Sequence, residues 1–106
     1  MRTLHLFLER GFSGEGATVR LDGEEILRSA SLSTDLMMGF AEQVDAPLST
    51  EPGRMEVWIS NDRISSARPL ETVVPLPAGT EDLWVRVWME DGRLLHALGT
   101  EPLGFL

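Results

Sequence analysis

Apolar and polar residues alternate along most of this chain, with turn-forming residues about every ten positions, a combination that predicts an antiparallel all-β domain. Residues 3–9 place Leu4, Leu6 and Leu8 on one face of a strand and His5 and Phe7 on the other. Residues 10–16 carry three glycines and are expected to form a loop. Residues 17–21 and 24–30 flank Asp22-Gly23, a pair suited to a two-residue type I′ turn because both positions need positive φ. Such a turn fixes the register: Leu21 opposes Glu24, Arg20 opposes Glu25 and Val19 opposes Ile26. Asp91-Gly92 gives a second hairpin by the same rule, pairing Glu90 with Arg93, Met89 with Leu94, Trp88 with Leu95, Val87 with His96 and Val85 with Leu98.

Between the hairpins, residues 54–60 turn Met55, Val57 and Ile59 to one face. Residues 70–76 form a further strand, placed at a sheet edge or strand end by Pro75. Asn61-Asp62 and Pro77-Ala78-Gly79 supply turns. Over 35–44, Leu36, Phe40 and Val44 recur at helical spacing behind a candidate cap at Ser33 or Thr34, but Gly39 interrupts them, and an extended or irregular path is expected. Seven or eight short strands in one domain spanning 1–106, without crossover helices, predict an antiparallel Greek-key β-sandwich, with a small β-barrel as second choice. In general layout this is similar to small immunoglobulin-like or prealbumin-like sandwiches, a likeness of strand count that implies nothing about activity.

Charge narrows the partners. Seventeen acidic residues against nine basic ones give a net charge of -8, and every basic side chain other than His is Arg. Nucleic acid and anionic membrane both require clustered cations, so neither is an expected partner. The absence of Cys excludes disulfides, thiolate metal sites and a cysteine nucleophile. Leu4-His5-Leu6-Phe7-Leu8 after Arg2 is too short for a signal peptide and runs into Glu9-Arg10 without a cleavage site. A cytoplasmic location is the resulting expectation.

The three tryptophans carry the functional expectation. Along 83–90, Leu83, Val85, Val87 and Met89 share one face, while Trp84, Arg86, Trp88 and Glu90 share the other. Trp58 likewise alternates with Met55, Val57 and Ile59. All three indoles are thus placed with charged groups, away from the aliphatic core. Each aromatic side chain offers ~150–250 Å², so three left bare would rival the ~300–600 Å² of the largest apolar patch on a typical monomer. They need a cover. An intramolecular one could come from the tail 102–106, from 35–44, or from Phe7 and Phe12. A protein interface suits Trp and Arg, which are enriched at binding hot spots. A carbohydrate stacked on the indoles is the third candidate.

Catalysis has little to work with. There is no Lys, Cys or Tyr, no Gly-x-Ser-x-Gly elbow, and the only histidines are His5 and His96. The register places His96 on the core side, where a backbone carbonyl would satisfy it, and His5 at a surface or boundary position. The acids in Asp22-Gly23-Glu24-Glu25 and Glu81-Asp82 are explained by turns, with Glu25 facing Arg20, and no calcium-loop or zinc spacing accompanies them. No cofactor or metal is expected. The sequence therefore predicts a non-catalytic β-sandwich acting through protein contacts, as a homo-oligomer or with another protein, on a face made by Trp58, Trp84, Arg86 and Trp88. A carbohydrate-binding module using the same face is the alternative.

Overall fold

A computed structural model describes residues 2–33, 40–60 and 70–101. Eight strands and no helix form among them: β1 (Arg2–Leu8), β2 (Ser13–Leu21), β3 (Glu24–Ser33), β4 (Glu42–Leu48), β5 (Gly53–Ser60), β6 (Leu70–Leu76), β7 (Leu83–Glu90) and β8 (Arg93–Gly99). They make two four-stranded sheets in the orders β4-β1-β7-β8 and β3-β2-β5-β6. The sheets pack as a sandwich, with β4 near β3 at one side and β8 near β6 at the other. Its shortest dimension, 20 Å, is that of two sheets face to face. No ladder joins the sheets among the described residues, so the sandwich is not closed into a barrel. No described helix is long and apolar enough to cross a membrane.

The period-two pattern decides what is buried. Leu4, Leu6 and Leu8 of β1 meet Val85 and Val87 of β7 on the inner face of one sheet, while Val19, Met55, Val57, Ile59 and Val74 line the inner face of the other. These residues are essentially inaccessible to solvent, and each fully buried aliphatic side chain contributes about 1.5–3 kcal/mol of transfer free energy. Phe12, between β1 and β2, joins this core and so does not cover an indole.

Both hairpins form at the expected turns. Asp22 and Gly23 have φ of 50° and 86°, and Asp91 and Gly92 have 51° and 75°, the positive values that a type I′ turn requires. The β7–β8 register agrees at every expected pair, Glu90↔Arg93 through Val85↔Leu98. In β2–β3 the first two pairs hold, but an irregularity follows Arg20 and Val19 faces Leu27, not Ile26. A bulge of this kind lets both Ile26 and Leu27 lie against the core.

Other expectations are corrected. The loop over 10–16 ends early, because β2 begins at Ser13 and absorbs Gly14 and Gly16 through further register shifts, with Gly14 at φ +104°. Strand β3 runs on to Ser33, beyond the expected end at 30. Residues 42–48 form an edge strand that the alternation alone does not reveal, since Pro47 and Asp45 obscure the inward set Val44, Ala46 and Leu48. The expected extended path of 35–44 is met at 42–44, while 35–39 and the tail 102–106 lie outside the described residues. Strand β6 is an edge strand, as Pro75 requires. The sheets are not wholly antiparallel: β1 lies parallel to β7, Leu4↔Leu83 to Leu8↔Val87. The strand order also departs from the immunoglobulin arrangement, in which the first two strands share a sheet.

Arg2 closes one end of the sandwich. Its guanidinium is buried and donates to the carbonyls of Ser49, Glu51 and Pro77, tying the β4–β5 and β6–β7 connections together. Near the other end, the chain leaving β1 lies along β7, with Glu9 N–H donating to Val87 O at 2.7 Å and Met89 N–H donating to Arg10 O at 2.9 Å. Gly11 follows at φ +88°, and a Cβ there would sit 2.2 Å from Met89 O, inside van der Waals contact with backbone. Gly92 has a comparable φ but open space around it. Gly92→Ala should therefore cost only the left-handed penalty of about 1–2 kcal/mol, whereas Gly11→Ala should cost distinctly more, as read by chemical denaturation. Equal losses for the two variants would show that the approach of Gly11 to Met89 is not tight.

Candidate functional site

The outer face of the β4-β1-β7-β8 sheet collects most of the aromatic and charged groups singled out by the sequence. On β7, Trp84, Arg86 and Trp88 alternate with the buried Leu83, Val85 and Val87, so all three look away from the core. Trp84 and Trp88 are about 13 Å apart along the strand at ~3.3 Å per residue. The indoles are half-buried, each covered on the sheet surface by a neighbour from this chain.

Trp84 is covered by His5. The parallel register sets His5 directly beside Trp84, and the rings stack at 4.5 Å between centroids and 16° between planes. Two carboxylates hold the imidazole: Nδ1 lies 2.8 Å from Asp45 Oδ1 and Nε2 lies 3.0 Å from Asp82 Oδ2. Asp45 arrives as the register partner of His5 on β4, and Asp82 precedes β7. The Thr3 backbone N–H donates to the second oxygen of Asp82 at 2.9 Å, which fixes that carboxylate. A ring with carboxylates on both nitrogens is best satisfied as imidazolium, since only that form donates twice. Burial opposes the charge on His5, but hydrogen bonds to Asp82 and Asp45 and the attraction of both carboxylates outweigh it and raise its pKa above 6.5. The pKa of Asp82 is lowered, chiefly by its hydrogen bond with His5 and then by Thr3 N–H.

Trp88 is covered by cations. The guanidinium carbon of Arg86 lies 5.3 Å from its ring centroid and that of Arg10 lies 5.7 Å away, distances suited to cation–π attraction. Arg86 Nε also donates to Glu9 Oε1 at 2.9 Å, which anchors it in its place between the two indoles. Phe7, on the same face and in register with Arg86, packs edge-on against Phe40 at 5.4 Å. Phe7 is buried, with Phe40 against it.

Trp58 does not join this site. It sits on β5 of the other sheet, and its outward face points to the opposite side of the sandwich. Arg20, one strand away, covers it at 5.2 Å. Arg20 is the register partner of Glu25 as expected, yet Glu25 forms its ion pair with Arg28 at 2.7 Å, and Arg20 is committed to the indole. His96 is another correction. It lies opposite Val87 as the register requires, but β8 is the last strand of its sheet and the side chain is exposed to solvent.

Several functional-looking groups escape a reading of the sequence. His5 and Asp82 read there as a boundary residue and a turn residue, and only the parallel β1–β7 pairing joins them. Asp22 accepts from Arg54 N–H at 2.9 Å and its own N–H donates to Arg54 O, so its carboxylate locks the hairpin to β5. Among the described residues no cluster of three or more His, Asp or Glu side chains is arranged to hold a metal ion. Hollows at the Arg2 end are lined by Pro47–Thr50, by Arg2 with residues 77–81, Leu83 and Thr100, and by Arg2 and Thr3 with Asp45–Pro47; none of these is lined by an indole. No protein-family model matches the chain, and no curated protein or solved structure matches it at a significant level.

The Asp45–His5–Asp82 bridge makes stability depend on pH in a definite direction. A raised histidine pKa adds stability that is complete below 6.5 and fades as pH rises through the folded-state value. The lowered pKa of Asp82 adds stability above 3.8 that is lost as pH falls through its folded value. The two overlap between about pH 4 and 6.5. The melting temperature of His5→Gln is therefore expected to fall furthest below wild type at pH 5–6 and to approach it by pH 9; a gap independent of pH would show that His5 is not charged in the bridge.

Proposed function

We propose that this chain is a non-catalytic recognition domain that works through protein contacts, and that its docking surface is the outer face carrying Trp84, Arg86 and Trp88. The observation that carries this proposal is the pairing of two half-buried indoles with an anchored arginine on one central strand. Trp and Arg held in fixed rotamers lose little entropy on binding, which is why they dominate interface hot spots. Around them lie Phe7, Phe40 and Leu95, with Asp45, Asp82 and Glu90 at the margin. An apolar and aromatic centre with a carboxylate rim suits a protein partner whose own rim is cationic.

None of the hollows described above is lined by an indole, and a small ligand would need such concavity, so the outer face of the sheet suits a macromolecule better. Cytoplasmic residence is also proposed. One observation favours the carbohydrate alternative. His5 stacks on one face of Trp84 from β1, and on β8 the register partner of Trp84 is Gly99, which has open space above it. A sugar ring could rest there.

A photoreactive residue at exposed Gln43, on the same outer face and far from β8, tests the docking surface. In cells that naturally make the protein it should trap one discrete polypeptide. That polypeptide, once purified, should bind at least about tenfold more weakly to Trp88→Ala, as expected of a hot spot, and equally well to Trp58→Ala. Capture that survives Trp88→Ala would overturn the assignment. Saturable quenching of indole fluorescence by an oligosaccharide, lost in Trp84→Ala, would replace it with the carbohydrate alternative.

A further inference from the structure

The four sheet edges are not equivalent. Pro47 interrupts β4 and Pro75 interrupts β6, while β3 carries the register irregularities opposite β2. Proline and bulges are the usual means by which an edge is kept from pairing with another chain. Strand β8 has neither. Its register with β7 runs without a shift from Arg93 to Gly99, it contains no proline, and it has no acidic residue in a chain of net charge -8. Leu98 is 39% exposed on it, and His96 is exposed beside it.

The hydrogen-bond phase shows which groups this edge offers. Val87 O and Met89 N–H are used toward the β1 side, so the odd-numbered residues of β7 face β1. Its even-numbered residues therefore bond to β8, through the partners Arg93, Leu95, Ala97 and Gly99. The N–H and C=O groups of Leu94, His96 and Leu98 are left pointing away from the sheet. These same residues are spaced symmetrically about His96.

We infer that β8 pairs antiparallel with β8 of a second copy of this chain, about a two-fold axis at His96, to give a homodimer with one continuous eight-stranded sheet. In this register Leu94 meets Leu98 of the copy, Leu95 meets Ala97, and His96 meets itself. The residues that carry the free backbone groups become hydrogen-bonded pairs in both directions. Apolar side chains meet apolar side chains across the seam, and no carboxylate of β8 enters it.

A second, independent observation fits the same register. Among the described arginines, Arg93 alone has a side chain with no ion pair, hydrogen bond or aromatic contact: Arg2 binds carbonyls, Arg28 and Arg54 meet carboxylates, and Arg10, Arg20 and Arg86 lie against indoles. Pairing about His96 places Arg93 of one copy beside Gly99 of the other, on the outer face. Gly99 has no side chain and open space above it, and it is the β8 partner of Trp84, whose ring is stacked by His5 from the β1 side. The guanidinium of Arg93 can reach across Gly99 to complete a His5–Trp84–Arg93 stack between copies. Because the two-fold axis is perpendicular to the sheet, both Trp84–Trp88 stripes lie on the same side of the dimer. The inference rests on β8 and stands whether or not those stripes dock a partner.

Sedimentation of the wild-type chain should give twice its 11.8 kDa at tens of micromolar. The absence of native cysteine permits a clean trap. In His96→Cys the introduced thiol would face that of the second copy at a Cα separation of about 5.5 Å, within disulfide range. The thiol of Gly99→Cys would lie about 20 Å from its counterpart at ~3.4 Å per residue and serves as the control. Mild oxidation should therefore cross-link His96→Cys rapidly and Gly99→Cys no faster than chance collision. Leu98→Asp should leave the thermal melt cooperative and abolish the dimer, and Arg93→Ala should weaken it about tenfold. A wild-type chain that stays monomeric at several hundred micromolar overturns the proposal, as does a dimer that survives Leu98→Asp while the thiol of His96→Cys stays reduced.

Discussion

The parallel ladder between β1 and β7 is the constraint from which the rest of the surface follows. It is the pairing of greatest sequence separation among the described strands, and no hairpin can dictate it, because most of the chain intervenes between its strands. Once formed, it fixes three outcomes together. Leu4, Leu6 and Leu8 enter the core beside Val85 and Val87. His5 is set against Trp84, and Phe7 against Arg86. The chain leaving β1 runs on alongside β7, so that Glu9 reaches Arg86 and Arg10 reaches Trp88. A slip by one residue would turn the leucines outward and the histidine inward, exchanging apolar burial for an unpaired polar ring.

Legibility in the sequence follows this division between local and distant pairing. The two Asp-Gly hairpins are readable because the turn specifies both conformation and register, and β7–β8 agrees residue by residue. The outward placement of the three indoles is readable because strand alternation is local. Their grouping is not, since Trp58 and Trp84 reach the same surface only if their strands share a sheet, and strand order depends on distant pairings. The Val19–Ile26 error has a similar source: an alternating pattern counts residues, and a bulge changes the count without changing which side chains are apolar. Strand β4 escapes notice because edge strands tolerate Pro and Asp, the residues that ordinarily argue against a strand.

The cover of the indoles among the described residues is cationic and polar: arginines lie against Trp58 and Trp88, and a histidine held between two carboxylates stacks on Trp84, while the apolar segments 35–39 and 102–106 lie outside the described residues. In an acidic chain without lysine this is physically consistent. A guanidinium stacked on an indole keeps its edge hydrated or bonded to a carboxylate, as Arg86 is to Glu9, so the ring loses water without the cation doing so. Three indoles can thus sit on sheet surfaces without forming a bare apolar patch. They stay partly accessible, and each lies against a neighbour of this chain.

Edge strands connect this chemistry to assembly. The described strands leave four sheet edges, and those at β4 and β6 are spoiled by proline at positions where the ladder would otherwise continue. With β3 irregular as well, the edge that keeps an unbroken ladder is the one next to β7, the strand with the aromatic and cationic groups. Any strand added there extends the Trp84–Trp88 face and not the face that carries Trp58. The distribution of prolines and bulges therefore selects which of the two outer surfaces can grow. It does so through backbone hydrogen bonding, before any side chain of the site takes part.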